Sequence, residues 1–376
     1  MNLLVTGDFF VSDSYQERDL FDSSVIALFT HADYRITNLE APITIKNKNN
    51  KIMKTGPYLC AMGETILPSL KKLNIDLVTL ANNHIMDYGQ PGLMDTLTSL
   101  ESARIDAVGA GLNLLEATRP FVLEKNGIRI AIINLAENEW ANATQNKPGA
   151  NPLDLIENIK QIREVKKASE FVVVIIHGGY EHFHFPSPRM AKQYRFYAEN
   201  GASVVIGHHP HCISGYEVYQ GVPIFYSLGN FILTIPSIFE SWYTGLVLNL
   251  HIRSEKEISY DLIPVTQSKR DYTLTLLEGE KRENTRSEIE EYSKIIANGA
   301  LLNQRWKAFL SDWKRYYLNI FNPINFIRNE HIRSGMTRLG LDRFFIRNKH
   351  YAQILNSIRC EAHAEASRDV IEHFLE

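Results

Sequence analysis

Short, largely apolar runs alternate with amphipathic segments along the first two thirds of the chain. The runs end at glycine or polar side chains, as buried strands commonly do, and they cover residues 3–6, 34–37, 75–80, 171–176 and 204–206. Apolar residues at helical spacing occupy the segments between them, over residues 19–31, 64–73, 93–103, 154–168 and 190–200. This alternation predicts an α/β fold.

Strand patterns dominate from residue 216 to residue 265. We expect strands over residues 216–219, 223–226, 244–252 and 258–265. Earlier in the chain, Asn126-Gly127 separates two apolar runs, and this dipeptide predicts a hairpin because a type I′ turn needs positive φ at both central residues. An α/β half followed by a mostly β part indicates two sheets packed face to face, with helices outside.

The composition changes after residue 265. Residues 267–294 are rich in Lys, Arg and Glu, and from residue 301 onward aromatic and aliphatic side chains recur at helical spacing. Between Asn303 and His350 there are ten Lys or Arg and three Asp or Glu. We therefore predict a main domain over residues 1–265 and a mainly helical C-terminal extension over 266–376. Two interpretations of the extension stay open: a helical appendage packed on the main domain, or a basic surface for an anionic membrane or a partner.

Charge and cysteine content narrow the classes of function. The net charge of -3 over 376 residues does not favour nucleic-acid binding. Cys60, Cys212 and Cys360 are far apart and lack CxxC spacing, so no disulfide framework is expected. Cys212 follows a histidine cluster and is either a metal ligand or a small buried hydrophobe. No signal peptide and no apolar stretch of membrane-spanning length is present, so we expect a cytoplasmic protein.

Side chains able to bind metal follow five of the predicted strands. Sites in open α/β sheets form outside the carboxyl ends of the strands, so these side chains should converge in one crevice. A single Asp in such a place is commonly a helix cap, but five coincident endings are poorly explained by capping. The five groups are Asp8, Asn38 with Glu40, Asn82-Asn83-His84, His177 and His208-His209-Pro210-His211.

Histidine is concentrated in one part of the chain. Six of the thirteen histidines lie between His177 and His211. The segment 204–211 is the clearest case: an apolar run meets Gly207, which we expect to turn the backbone sharply, and three histidines follow. A histidine-rich surface loop is the alternative, and the other four groups favour a metal site.

The predicted ligands mix carboxylate, amide and imidazole groups, a combination that suits Mn, Fe or Zn. With Glu40 as a bridge they could hold one ion or two ions about 3.5–4 Å apart. His84 is the candidate general acid, and a hydrogen-bonded structural histidine is the alternative for it. The predicted ligands are Asp8, Glu40, Asn83, His177, His209 and His211.

The ordered motifs resemble the CapA/PgsA family of capsule and poly-γ-glutamate biosynthesis proteins. The resemblance covers about residues 1–265, and it implies the four-layer αββα sandwich of the calcineurin-like metallophosphoesterases. The matching pieces are Gly7-Asp8, Asn38-Leu39-Glu40, Ala81-Asn82-Asn83-His84 with Asp87-Tyr88-Gly89, Gly109-Ala110-Gly111, His177-x-Gly179-x-Glu181, Gly207-His208-His209-Pro210-His211 and Ser227-Leu228-Gly229-Asn230-Phe231.

The resemblance also implies roles for individual residues. Phe10 stands where the superfamily has a metal-binding histidine, so one of two metals would have one ligand fewer. Glu181 is retained and would orient a ligand or the substrate, whereas Gly178 and His182 replace the Trp and Tyr of the family pattern. Supporting or substrate-contacting roles fall to Asn38, Asp87, His182, His208 and Asn230, with a surface position as the alternative for His208.

Together these observations predict a metal-dependent hydrolase or transferase in extracellular polymer biosynthesis. Its bond would be a phosphoester or a glutamyl amide, in a polymer or a small molecule. A non-catalytic accessory subunit of a membrane-associated polymer synthase is the main alternative, and a phosphodiesterase or phosphatase is the second. The basic C-terminal region would then provide peripheral contact with the inner face of the membrane or with the synthase.

Overall fold

A computed structural model of the chain describes residues 1–253, 257–321, 327, 329–341 and 348–375. Its strands, in chain order, are β1 (Asn2–Phe10), β2 (Tyr34–Leu39), β3 (Leu77–Thr79), β4 (Asp106–Val108), β5 (Ala110–Gly111), β6 (Phe121–Lys125), β7 (Ile128–Ala136), β8 (Gly149–Ala150), β9 (Phe171–His177), β10 (Val204–His208), β11 (Tyr216–Tyr219), β12 (Val222–Phe225), β13 (Asn230–Leu233), β14 (Thr244–Ile252), β15 (Ile258–Gln267) and β16 (Leu274–Leu276).

The α-helices of the sandwich are short and amphipathic, and those of the C-terminal part are mostly longer. The first group is α1 (Ser23–Thr30), α2 (Gly63–Lys72), α3 (Gly89–Ala103), α4 (Leu114–Ala117), α5 (Leu155–Lys166) and α6 (Pro188–Glu199). The second group is α7 (Gly279–Ala297), α8 (Gly299–Phe321), α9 (Glu330–Arg338), α10 (Asn348–Arg359) and α11 (Glu361–Leu375). Side-chain caps begin several of them; Asp154, for example, accepts from two backbone amides at the start of α5.

Two mixed sheets form the centre of the molecule. The larger has the order β16-β15-β14-β1-β2-β3-β4, and β13 pairs with β1 in parallel. The smaller has the order β11-β12-β10-β9-β7-β6. The strands β1 to β4 run parallel to one another, as do β7, β9, β10 and β12. The carboxyl ends of these parallel strands carry the residues of interest.

The apolar pattern explains the layers. Leu3 and Val5 of β1 pack with Val173 and Ile206 of the smaller sheet, in one cluster between the two sheets. A second cluster joins the outer face of the larger sheet to α1, α2 and α3, and a third joins the smaller sheet to α5 and α6. The predicted four-layer αββα sandwich is therefore confirmed.

The C-terminal helices pack on the sandwich through aromatic side chains. Trp306 of α8 lies 5.0 Å from Tyr180 between ring centroids, and Phe309 lies 4.6 Å from Phe183. This agrees with the appendage interpretation of the extension; its residues 322–326, 328, 342–347 and 376 lie outside the described residues. In the part of the chain that the structure describes, no helix is both long and apolar enough to cross a membrane.

Some local predictions hold and others need correction. Asn126 and Gly127 have φ of 55° and 75°, as the predicted type I′ hairpin requires. Gly207 does not turn the chain, because β10 continues through His208; a Cβ at Gly207 would instead lie 2.2 Å from the carbonyl oxygen of Tyr226. The larger sheet also continues beyond residue 265, where β16 pairs with the end of β15. The predicted boundary between the main domain and the extension stays a prediction.

Candidate metal centre

The predicted ligands come together where the parallel strands of both sheets end. Glu40 follows β2, Asn83 follows β3, and His177 is the last residue of β9. Asp8 differs from the prediction because it lies inside β1, beside an irregularity in the pairing with β2 between Val5 and Asp8. The break in register places an acidic side chain within an otherwise apolar strand, which is a common use of β-bulges next to sites.

The first set of ligand atoms joins Asp8, Glu40 and His211, all buried. The Nδ1 atom of His211 lies 3.4 Å from Oδ2 of Asp8, and its Nε2 atom lies 3.6 Å from Oε1 of Glu40. Asn230 accepts a hydrogen bond of 2.8 Å from the Nδ1 atom of His211, so the Nε2 atom is the one left to bind an ion.

The second set joins Glu40, His177 and His209. The Nε2 atom of His177 lies 3.1 Å from Nδ1 of His209 and 3.6 Å from Oε1 of Glu40. Asn83 adds its Oδ1 atom at 3.1 Å from the same Nε2 atom. Four donor atoms of three chemical types therefore face one small volume, and Glu40 belongs to both sets.

Glu40 is a carboxylate of the crevice that lacks hydrogen-bond partners in the part of the chain that the structure describes. It is fully buried, and neither carboxylate oxygen has a hydrogen-bond partner among the described residues. Burial and then the charge of Asp8 raise the pKa of Glu40 well above its ordinary value. A buried carboxyl without donors is costly, and a cation would relieve that cost, so the residues present fit a divalent metal.

The pKa values of the neighbouring groups are shifted as well, in directions set by burial and by nearby charges. Burial raises the pKa of Asp8, but a hydrogen bond to His211 and the charge of His177 outweigh it and hold that pKa well below its usual range. Burial lowers the pKa of His211, yet the charge of Glu40 and the bond to Asp8 raise it to about 10. His177 has a pKa well below its ordinary value because of burial and the charge of His209, and neutral imidazole is the form that binds metal.

The backbone around the histidines is held in an unusual conformation. His209 and His211 have backbone φ angles of 98° and 55°, in a region that residues other than glycine seldom adopt. The amide of His209 donates to Oδ2 of Asp8 at 3.3 Å. Such conformations persist only where the surroundings fix them, and they cluster at functional sites.

Asn38 holds two of the predicted ligands in place, whereas neither ring nitrogen of the nearby His208 has a hydrogen-bond partner among the described residues. Asn38 donates to Oδ1 of Asp8 at 2.7 Å, and its amide nitrogen lies 3.3 Å from Nδ1 of His177. His208 is fully buried at the end of β10, so the surface position considered for it is wrong. Burial lowers the pKa of His208, and the charge of Asp8 only partly offsets this.

His84 belongs to a second hydrogen-bonded group, with Asp87 and Lys54. Its Nδ1 atom donates to Oδ2 of Asp87 at 2.7 Å and lies 3.2 Å from the ammonium of Lys54. Lys54 also forms a buried ion pair with Asp87, and the amide of Leu59 donates to Asp87 at 2.7 Å. Burial and then the charge of Lys54 lower the pKa of His84. The alternative of a hydrogen-bonded histidine and the proposed acid role are both compatible with this arrangement.

Glu181 and His182 lie farther out. Glu181 is exposed and belongs to neither ligand set, although its charge is one of the lesser causes that raise the pKa of His211. His182 has φ of 62° and stacks on Phe239 with ring centroids 3.9 Å apart. Their predicted contact with substrate stays a prediction.

A family comparison decides the identity of the main domain. The family model described as bacterial capsule synthesis protein PGA_cap matches residues 2–234. The chain belongs to this family. All six predicted ligands, together with His84 and Asn230, lie inside the matched residues, whereas α7 to α11 lie outside them.

Curated relatives in the capsule synthesis family carry related names. "PGA biosynthesis protein CapA" of Bacillus subtilis (strain 168) is 38% identical over 245 residues, covering 63% of this chain and 62% of its own. "Capsule biosynthesis protein CapA" of Bacillus anthracis is 32% identical over 246 residues, covering 62% and 58%. A "Probable polyglutamine synthesis accessory protein" of Mycobacterium tuberculosis (strain ATCC 25618 / H37Rv) is 29% identical, covering 61% of each chain. The match thus spans about three fifths of these relatives' lengths.

Three further residues of this capsule synthesis domain bear on the site. Two of them, Lys54 and Glu139, were not predicted from the sequence. Lys54 lies in a polar loop with no pattern that indicates a function. Glu139 follows β7, so the search for polar side chains after predicted strands could have found it. The Oε1 atom of Glu139 lies 3.7 Å from Nε2 of His209. Phe10 is buried in the apolar cluster of the outer face, and it contributes no donor to either ligand set.

Proposed function

We propose that this chain is a metal-dependent hydrolase or transferase of capsule or poly-γ-glutamate biosynthesis. The observation that carries the proposal is the shared position of Glu40: two ligand sets meet at one buried carboxylate that has no hydrogen-bond partner among the described residues. A structural acid in a core would be expected to have such partners.

The residues divide into holding and proton-moving groups. One or two divalent ions, Mn, Fe or Zn, would be held by Asp8, Glu40, Asn83, His177, His209 and His211. When bound, such ions polarise the bond to be broken and lower the pKa of water. Asn38 and Asn230 keep the carboxylate of Asp8 and the ring of His211 in position through their hydrogen bonds.

His84 would supply the proton for the leaving group. Its Nδ1 atom is occupied by Asp87, so the ring is fixed and the Nε2 atom is left for the substrate. The lowered pKa makes the protonated ring a stronger acid, at the cost of a smaller protonated fraction at neutral pH. Lys54 holds Asp87 in place and thereby orients His84.

The bond acted on would be a phosphoester or a glutamyl amide. The names of the relatives favour a polymer of glutamate or glutamine, and the pairing of a shared carboxylate with imidazoles suits either reaction. Only about three fifths of each relative is matched, so the complete activity of those proteins is carried to this chain as part of the proposal.

Turnover assays with metal-loaded protein test the proposal. Wild type, Glu40→Gln, His84→Ala and the exposed control Glu240→Gln would be loaded with Mn²⁺, Fe²⁺ or Zn²⁺ and given poly-γ-glutamate or bis-p-nitrophenyl phosphate. We expect wild type and the control to turn over one substrate, and His84→Ala to lose about 10²–10⁴-fold in kcat while keeping its metal. Equal rates in wild type and Glu40→Gln would contradict a metal-dependent reaction.

A non-catalytic role at a membrane or synthase is the second candidate, and exposed apolar side chains in the C-terminal part of the chain favour it. Leu339 is 76% exposed, Ile358 62%, Tyr351 60% and Ile332 55%. Basic residues lie among them in the sequence, a combination suited to an anionic surface. Binding of the full chain to anionic and neutral vesicles tests this. Loss of binding to anionic vesicles in Leu339→Asp/Ile358→Asp would support a surface contact, and equal binding by wild type and the variant would count against it.

A further inference from the structure

A third group of metal-binding side chains lies where the C-terminal helices meet the sandwich. Glu139, Cys360 and His363 each offer one ligand atom, and these atoms all lie within 4.8 Å of one another. Glu139 lies in the loop after β7, Cys360 lies between α10 and α11, and His363 is in the first turn of α11. Two of the three ligands therefore come from outside the residues that match the capsule synthesis family.

The side chains are held ready to bind. Cys360 is 1% exposed, and Glu139 and His363 are half-buried. The Nδ1 atom of His363 lies 3.1 Å from the hydroxyl of Tyr317, which fixes the ring and leaves the Nε2 atom for a ligand bond. A metal-binding histidine usually has its second nitrogen occupied in this way.

A second acid, Glu137, also lies beside the group, with its Oε2 atom 3.9 Å from Sγ of Cys360, but its oxygens already have other partners. Glu137 accepts from Arg189 at 2.9 Å and from the amide of Gly179 at 3.0 Å. The carboxylate of Glu139 instead has its nearest basic nitrogen at 3.7 Å, on His209. Of the two carboxylates near the thiol of Cys360, Glu139 is therefore the one more available to bind a metal ion.

We propose that Glu139, Cys360 and His363 form a Zn²⁺ site that fastens the C-terminal helices to the sandwich. Thiolate, imidazole and carboxylate together are typical zinc ligands, and the thiolate distinguishes this site from the crevice, whose ligands are nitrogen and oxygen. On binding, a bond forms between the metal and Sγ of Cys360, and the thiol proton is released to solvent. Three protein ligands leave the fourth tetrahedral position to water.

The site would also connect the C-terminal helices to the crevice. Glu139 lies between the proposed ion and His209, which is a predicted ligand of the crevice. Asn138, next to Glu139, donates through its backbone amide to Glu361 at 2.8 Å, so the same loop already contacts α11. Zn²⁺ bound here would hold this loop, and with it the ring of His209, in a fixed position.

Cobalt substitution tests the site without reference to catalysis. Cobalt(II) bound to a thiolate shows a near-ultraviolet sulfur-to-metal charge-transfer absorption, which nitrogen and oxygen ligands do not give. Reduced, metal-free full-length protein would be titrated with Co²⁺ alone, then with Zn²⁺ as competitor. We expect the band in wild type, in Cys212→Ser and in Glu40→Gln, and its loss in Cys360→Ser. Retention of the band in Glu40→Gln separates this site from the crevice, so the proposed function can fail while this proposal stands.

Conservative variants keep the test informative if Cys360→Ser folds poorly. Glu139→Gln and His363→Gln should weaken Zn²⁺ competition by about 10–100-fold or more, with circular dichroism like that of wild type. With Zn²⁺ bound, wild type should also resist proteolysis within α10 and α11, and the variants should not. Absence of the charge-transfer band in wild type at saturating Co²⁺, or its persistence in Cys360→Ser, would overturn the proposal.

Discussion

Two buried carboxylates near the crevice, Asp87 and Glu40, differ in their hydrogen-bond partners. Asp87 is fully buried and has a complete set of partners: the ring of His84 and the amide of Leu59, each at 2.7 Å, and the ammonium of Lys54. Glu40 is equally buried, and neither of its oxygens has a hydrogen bond among the described residues. The basic nitrogens nearest to it among the described residues are those of His177 and His211, both at 3.6 Å.

The difference indicates what each carboxylate is for. A buried charge needs partners to be tolerated, and Asp87 obtains them from the protein itself. Glu40 lacks them, so its partner is expected to come from outside the chain, and its histidine neighbours indicate a metal ion. Asp87 is therefore expected to matter for stability and orientation, and Glu40 for binding.

The largest effect is expected at Glu40. Glu40→Gln should lower the affinity for Mn²⁺ or Zn²⁺ in the crevice by more than about 100-fold, since it removes a ligand common to both sets. The free energy of unfolding of the metal-free protein should not fall, because no hydrogen bond is lost. Calorimetric titration and denaturant unfolding measure the two. A loss of more than about 1 kcal/mol in the metal-free state would show that Glu40 has an internal partner after all.

The opposite result is expected at Lys54. Lys54→Met leaves the buried Asp87 without its cation and should lower the free energy of unfolding by about 3–5 kcal/mol. Lys72→Met is the matched control, because its ion pair with Asp19 is exposed and should contribute less than about 1 kcal/mol. Equal effects of the two substitutions in urea unfolding would remove the contrast between Asp87 and Glu40.

Glu137 is an intermediate case and should produce a pH dependence. It is buried and paired with Arg189, yet burial outweighs that pairing and raises the pKa of Glu137 to about 7. A carboxyl whose pKa is raised in the folded state contributes stability below its unfolded pKa, and that contribution is lost as the pH rises through about 7. Metal-free protein should thus lose up to about 3 kcal/mol between pH 5 and pH 8. Glu137→Gln should flatten this profile, and an unchanged slope would contradict the assignment.

The smallest effect is expected at Asn230. Its side chain holds the Nδ1 atom of His211, so Asn230→Ala should weaken metal binding by about 10–100-fold without removing a ligand. Competition with a coloured chelator measures this. An effect as large as that of Glu40→Gln would indicate that Asn230 is itself a ligand.

Much of the crevice could be predicted because parallel strands end at the same edge of a sheet. Asp8, Glu40, Asn83 and His177 each follow or end an apolar run, and that pattern is visible in the sequence. The same alternation of apolar runs predicted two facing sheets with helices outside. The resemblance to a known family then identified this arrangement as a four-layer αββα sandwich.

The remaining features depend on contacts between distant parts of the chain. Lys54 lies in a polar loop whose folding over Asp87 has no local signature. Glu139 lies close to Cys360 and His363, which are far from it in the sequence. The strand β13 is recognised by its parallel pairing with β1 rather than by its own pattern. At Gly207, β10 approaches the segment after β12 closely. This contact between distant parts of the chain has no local signature, so the sequence alone suggested a turn as the reason for the glycine.

Anomalous diffraction from a crystal saturated with Mn²⁺ would show whether Glu40 binds a metal ion. We expect a peak beside Glu40 within ligand distance of His177 and His209, and, where a second ion binds, another peak beside Asp8 and His211. The absence of any anomalous peak in contact with Glu40 at saturating Mn²⁺ would contradict this expectation.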